Sequence, residues 1–293
     1  MASNQTLKTA HGKFIDFLKG QKRASATVIA YKKDIEQLIS HLENKGKSGL
    51  GEAVTEDLKD FLTDLSAKSY TAKSVSRKIN STRTFFKFLK SEGLIKEDPA
   101  GALTHPQLSP KAPRILSAVE YRALRDAARN DIRTRAVVEL LLQTGIRIGE
   151  LASLEVNDFK AATSKHGGEL RIAPFENRPE RAVPLNLAAS EAVKQYLTIR
   201  PQSKDSHLFI TKTGKPLLIR NIRATIDRYF KSGGIENAKV NDLRHTFVAY
   251  HLSRGVSLVM ISKIAGHKRI STTEKYLEYI ERPTEEKTEL GEL

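Results

Sequence analysis

Between residues 96 and 114 the chain reads KEDPAGALTHPQLSPKAPR, with Pro99, Pro106, Pro110 and Pro113 and no apolar periodicity. Proline fixes φ and lacks an N–H, so no regular element runs through such a stretch. On either side apolar residues return at helical spacing. A 293-residue chain divided there leaves two parts that can each bury a core. The expected organisation is a helical domain over 1–95, a linker over 96–114, a second domain over 115–280 and an acidic tail over 281–293.

The first part reads as four helices. FIDFLKG closes the first. SATVIAYKKDIEQLISHLENKG opens at a Ser25 cap, places Val28, Ile35, Leu38, Ile39 and Leu42 on one face, and stops at Gly46. TEDLKDFLTDLSA starts at a Thr55 cap, and TAKSVSRKINSTRTFFKFLKSEG ends at Gly93. The fourth helix is expected to carry Lys73, Arg77, Lys78, Arg83 and Lys87 outward, a face that is solvated or tracks phosphates.

The second part opens with Ser117 and Glu120 at capping-box spacing. Residues 132–145 form a helix ending at Gly145, with a short helix in IGELASL. ELRIAPF and ERAVPL flank ENRP as a two-stranded hairpin. Five further helical runs follow, from LAASEAVKQYLTIR to STTEKYLEYI. The fold class is mainly α with a small β-sheet.

Lys and Arg number 49 against 34 Asp and Glu, a net charge of +15 that makes a polyanion the first partner to consider. There is no cysteine, which excludes disulfides, thiolate nucleophiles and cysteine-ligated zinc. No phosphate-cradling GxxxxGK[ST] loop, HExxH or EF-hand spacing occurs, so no cofactor or metal is expected. The N-terminus lacks the apolar core of a secretory signal and no run is long enough to span a bilayer. A cytoplasmic address and no membrane partner are the expectation.

Four side chains near helix ends stand out. Arg147 follows Gly145 at a helix start, and Arg244 in NDLRHTF shares a helical face with Asn241. His267 follows Gly266, and Tyr276 lies in STTEKYLEYI. Each has an ordinary reading. Arg147 would pair with Glu150, Arg244 with Asp242 or Glu274, His267 would cap a helix, and Tyr276 would be core. Together they form a kit for attacking a phosphodiester without metal. Guanidinium groups bind non-bridging oxygens and neutralise the charge of the pentacoordinate state, while a phenol supplies a nucleophile that retains the phosphate.

LLLQTGIRIGELASL with NDLRHTFVAYHLSRGVSLVMISKIAGHKRISTTEKY resembles the two signature boxes of the tyrosine recombinases, the phage-integrase family. The resemblance spans both parts. It implies an N-terminal four-helix SAM-like core-binding domain followed by the family's catalytic domain, the DNA breaking-rejoining enzyme fold. With no room before residue 6 for an arm-binding domain, the simple two-domain type is expected, Xer-like or of the transposon-resolution kind. Carried over, Arg147 and Arg244 clamp the phosphate, His267 donates a hydrogen bond and Tyr276 is the nucleophile, with Tyr279 the weaker candidate. The implied reaction forms a 3′-phosphotyrosine and a free 5′ hydroxyl, then makes and resolves a Holliday junction without ATP.

Two positions depart from the family pattern. Asn241 stands where a histidine is usual; it donates a hydrogen bond but cannot carry a proton. The family's hairpin lysine, a general acid, is replaced at the matching place by Glu176. Arg178 is the nearest cation and Lys165 a more distant one. Arginine keeps its proton too firmly to act as an acid but contacts phosphate well.

The expected partner is double-stranded DNA at a specific site, gripped by a homotetramer that is a monomer or weak dimer when free, with room for accessory proteins. Phosphate contacts would supply most of the affinity, while helices such as 71–92 and 219–232, the latter with Arg220 and Arg223, would read base edges. The resemblance also implies that the acidic tail docks on a neighbouring subunit. Two other classes remain open: a catalytically silent DNA-binding protein on this fold, and a relaxing enzyme like the type IB topoisomerases.

Overall fold

The computed structural model describes residues 6–108, 111–163, 167–174 and 178–280. The chain forms two compact units that divide between Pro110 and Lys111.

The first unit is built from α1 (Leu7–Gly20), α2 (Ser25–Asn44), α3 (Thr55–Ala67) and α4 (Ala72–Ser91). Their apolar faces meet in a core of Phe14, Leu18, Ile35, Leu38, Leu42, Leu58, Phe85 and Phe86. Phe14 meets Phe85 edge-on at 5.2 Å between ring centres. Two helix starts differ from expectation by one residue. Ser25 and Thr55 are each the first helical residue, and Ala24 and Val54 occupy the cap positions. At Val54 the carboxylate of Asp57 accepts the backbone N–H at 2.9 Å, so a side chain from inside the helix satisfies the free donor.

Lys78 does not join the outward cations of α4. It lies beside Ile79 and one turn from Val75, on the inward face, where its ammonium meets Asp34 at 2.8 Å and also donates to Gln37. Arg77 pairs with the same carboxylate, and Arg83 donates to the carbonyl of Leu103. Lys73 and Lys87 are exposed. The expected linker also begins later than residue 96. Ala100 and Leu103 are buried in the first core, and Thr55 donates to the Pro99 carbonyl at 3.0 Å. Apolar side chains at that spacing found a surface to cover despite the prolines around them.

The second unit starts with α5 (Ala118–Ala127), whose Ser117 and Glu120 form the expected capping box. It continues through α6 (Ile132–Thr144) and α7 (Ile148–Ala152). The strands are β1 (Phe159–Lys160), β2 (Gly168–Ile172) and β3 (Arg181–Leu185). They make an antiparallel sheet of order β1-β2-β3, with Leu170 facing Val183; the expected hairpin gains a third, two-residue strand. The remaining helices are α8 (Leu187–Ile199), α9 (Ile219–Ser232), α10 (Val240–Ser253), α11 (Leu258–Ala265) and α12 (Ser271–Glu274), with a 3₁₀ turn over Lys275–Tyr279.

Helix α6 is the axis of this unit. Ala136, Val137, Val138, Leu140, Leu141 and Leu142 are all buried, so it is apolar nearly all round, and it packs against α8 and α10. A smaller cluster of Phe247, Val248, Leu252, Ile261, Ala265 and Tyr276 joins α10, α11 and the 3₁₀ turn. Among the described residues, no helix is long and apolar enough to cross a membrane.

Candidate active site

The turn at Gly145 starts the site. Its φ of 62° closes α6 in the left-handed conformation. A Cβ added there would lie 2.3 Å from the Phe247 ring, so glycine is needed for both backbone and space. The turn sends the chain sideways, and Arg147 emerges at the cap position of α7.

Arg147 is held from three directions. Its Nη1 meets Glu150 at 3.0 Å and donates to the Ala265 carbonyl at 3.2 Å, while Nη2 donates to the Gly266 carbonyl at 2.9 Å. The last two acceptors end α11, so one side chain ties α7 to the segment leading to His267. Glu150 is 1% exposed and also accepts the Arg147 backbone N–H at 2.9 Å. Arg181 of β3 completes its shell, donating to both oxygens at 3.0 and 2.7 Å and to the Ile264 carbonyl through Nε at 2.9 Å. Burial pushes the Glu150 carboxyl up, but the hydrogen bonds from Arg181 and the Arg147 backbone, with both guanidinium charges, hold it below the usual range.

Arg244 lies deeper, at 5% exposure on α10. It donates to the carbonyl of Gly145, while its Nη2 is buried with no hydrogen-bond partner. Burial and the neighbouring Arg147 charge lower its pKa to about 9, so it stays protonated at neutral pH. Asp242 does not pair with it; that carboxylate caps α10 by accepting the Lys239 N–H at 2.8 Å. A buried donor aimed at nothing is costly, and an anion is the group that would relieve it. Asn241, Arg223 and Lys239 line the same cleft as Arg244.

Tyr276 is 6% exposed, and its ring lies between two imidazoles. His267 is near-parallel to it, 14° apart in plane and 6.4 Å between centres, and its Nδ1 lies 2.7 Å from the Thr273 hydroxyl. If Thr273 donates to Nδ1, the neutral ring presents Nε2–H outward. Burial, then the charges of Arg244 and Arg147, lower the His267 pKa to about 4. On the other side, Nδ1 of His245 lies 2.5 Å from the Tyr276 hydroxyl and Nε2 lies 2.7 Å from Nδ2 of Asn241. Burial raises the phenol pKa above its ordinary value, against the pull of Arg244 and Arg147.

The structure thus brings Arg147, Arg244, His267, Tyr276 and Asn241 together. Arg178 lines a groove with Arg181, Lys263, His267 and Lys268, and its charge acts on Arg147. Arg220 and Arg223 are exposed on α9. Glu176, Lys165 and the tail 281–293 lie outside the described residues.

Residues 111–281 match the phage integrase family, and residues 12–93 match the N-terminal SAM-like domain of phage integrases. The chain belongs to the phage integrase family. Relatives of this recombinase include tyrosine recombinase XerD of Rhizobium meliloti (strain 1021), 30% identical across 92% of this chain and 90% of that protein. Tyrosine recombinase XerC of Bacillus subtilis (strain 168) is 30% identical across 90% of this chain and 89% of its own length. Among solved structures, a lambda integrase tetramer bound to a Holliday junction shares the fold at 18% identity and a TM-score of 0.76, covering 99% of this chain and 81% of that one.

The structure adds three residues to this cluster. Glu150 entered only as an ordinary ion-pair partner, and nothing in ERAVPL marks Arg181 as facing it. His245 did carry a signal: it is four residues from Asn241, hence on the same face of the helix.

Proposed function

We propose that this chain is a site-specific recombinase that cuts and rejoins double-stranded DNA through a 3′-phosphotyrosine on Tyr276. The observation that carries this reading is the convergence of Arg147 and Arg244 beside a buried phenol, with a guanidinium nitrogen left unpartnered in the cleft. In this reading the scissile phosphate enters between the two guanidinium groups, and the Nη2 of Arg244 gains the acceptor it lacks. Charge developing on the non-bridging oxygens meets fixed donors that need no reorganisation. His267 donates from Nε2 to the phosphate. Asn241 lies at the same cleft as a neutral donor, and Arg178 contacts DNA nearby.

The phosphotyrosine conserves the energy of the broken bond, so the free 5′ hydroxyl of a partner strand reverses the step without ATP. Coupling two such exchanges requires four subunits around a Holliday junction; we propose that assembly for this chain as well, in the cytoplasm. Lys73, Arg77, Lys87, Arg220 and Arg223 supply phosphate contacts, which makes binding strongly salt-dependent.

The test begins with selection of a bound duplex from a random pool. The selected site, nicked just downstream of the cleaved bond so that the short fragment bearing the new 5′ hydroxyl is lost, is then incubated with the chain. A covalent adduct that disappears in Tyr276→Phe is the expected result. Tight binding without adduct would identify a silent DNA-binding protein, and relaxation of plasmids lacking the site would identify a topoisomerase.

A further inference from the structure

The phenol of Tyr276 must lose a proton to attack phosphorus, and its burial makes that loss harder. Asn241 cannot take the proton, and the arginines are already charged. His267 faces the ring rather than the hydroxyl, and its Nδ1 is engaged with Thr273. Among the described residues, the group that touches the hydroxyl is His245, at 2.5 Å through Nδ1. Its far nitrogen meets the Asn241 amide at 2.7 Å, one helical turn back.

Resting on the functional reading above, we propose that His245 is the proton acceptor for Tyr276 during strand cleavage, with Asn241 orienting its ring. In the step, the Tyr276 O–H proton passes to Nδ1 of His245 as the phenolic oxygen bonds to phosphorus. The bond from phosphorus to the 5′ oxygen breaks, and that oxygen takes a proton from water. The hydroxide so formed recovers the proton from His245, and rejoining runs the same transfers backwards. For Nδ1 to accept, Nε2 must carry the ring's hydrogen. The Asn241 amide serves this by turning its oxygen toward Nε2, where it also stabilises the imidazolium that forms. An amide presents either a donor or an acceptor by a half-turn, so a neutral residue holds the ring in the needed tautomer.

The charged and titratable groups facing His245 are Asp242 and Arg244 on α10, His267 after α11 and Tyr276 itself. Burial lowers the His245 pKa, with Asp242 opposing and Arg244 adding to the shift. The ring is therefore neutral and able to accept at pH 7.

The test uses the full chain on the nicked site, under single turnover. His245→Asn places an amide near the Nδ1 position, so it retains a hydrogen bond to the phenol but cannot accept its proton. We expect adduct formation to slow about a hundredfold or more, with DNA binding and thermal unfolding unchanged. The decline in rate toward acid pH should flatten in this variant. A substrate whose bridging 5′ oxygen is replaced by sulfur, which leaves without a proton, should not restore the rate. Adduct formation by His245→Asn at the unsubstituted rate would overturn the inference while leaving the functional reading intact. So would full recovery on the sulfur substrate, which would move His245 to the leaving group. Failure of the unsubstituted chain to form any adduct would remove the functional reading, and the inference with it.

Discussion

Each unit buries one carboxylate between cations, and the two arrangements end differently. In the first unit Asp34, 2% exposed, receives Arg77, Lys78 at 2.8 Å and the Ser81 hydroxyl at 3.2 Å. Lys78 turns its remaining capacity to Gln37. That network is closed. In the second unit Glu150, 1% exposed, receives Arg147 and Arg181, but Arg244 lies beside them buried with a nitrogen unsatisfied. Replacing closed buried pairs by apolar residues is often neutral or stabilising, so such pairs say little about function. A buried cation beyond what its carboxylate answers is different, because folding alone gives no reason to keep it. That surplus cation is why we propose the anion site in the second unit.

The sharpest break would come at Arg244. Arg244→Ala should slow adduct formation on the nicked site about a thousandfold, the cost of losing a donor aimed at developing charge. Because the guanidinium is buried and poorly paired, urea unfolding should show little loss or a gain in stability. Substantial destabilisation would mean that the residue is structural.

Glu150→Gln should act on both counts. It leaves two half-buried guanidinium groups without their counter-charge, a loss of about 3 kcal/mol. Arg147 would lose its fixed direction, so cleavage should also fall at temperatures where the chain stays folded.

Asp34→Asn is the matched control in the first unit. Chemical denaturation should reveal a loss of similar size, about 3 kcal/mol. Adduct formation by the folded fraction should remain within a few-fold of normal. A large loss of cleavage chemistry there would erase the distinction between the units.

The smallest effect concerns pH. The folded-state pKa of His267 is about 4, against an ordinary value near 6.5. Below about pH 6.5 the unfolded chain therefore binds more protons than the folded one. Stability should fall as pH drops from about 6.5 toward 4, and His267 should contribute no slope above that window. His267→Gln should flatten this part of the curve, measured by thermal unfolding at a series of pH values.

The helical elements were legible because their signals are local. Gly145 and Gly266 mark real helix ends, and Ser117 with Glu120 forms a real capping box. The fault at Lys78 came from treating charge as a surface property. Its neighbours Val75 and Ile79 already placed it inward, but the carboxylate that makes burial tolerable lies 44 positions away, on α2. The position of Arg181 was hidden for the same reason, since its partner Glu150 is 31 positions distant. His245 was within reach, four residues from Asn241, yet its contact with a phenol 31 positions on exists only in three dimensions. Long-range polar pairing leaves almost no trace in periodicity, and it is the part of the site that sequence could not supply.

Tyr276, the nucleophile we propose, rides on a 3₁₀ turn, Lys275–Tyr279, with a second tyrosine three places after it. Three residues complete one such turn and advance it about 6 Å, so both phenols leave the same side of the coil at different heights. The first phenol is 6% exposed and the second 36%. In the reading we propose, the coil that aligns the pair sets the exposed tyrosine one storey away from the buried one that attacks.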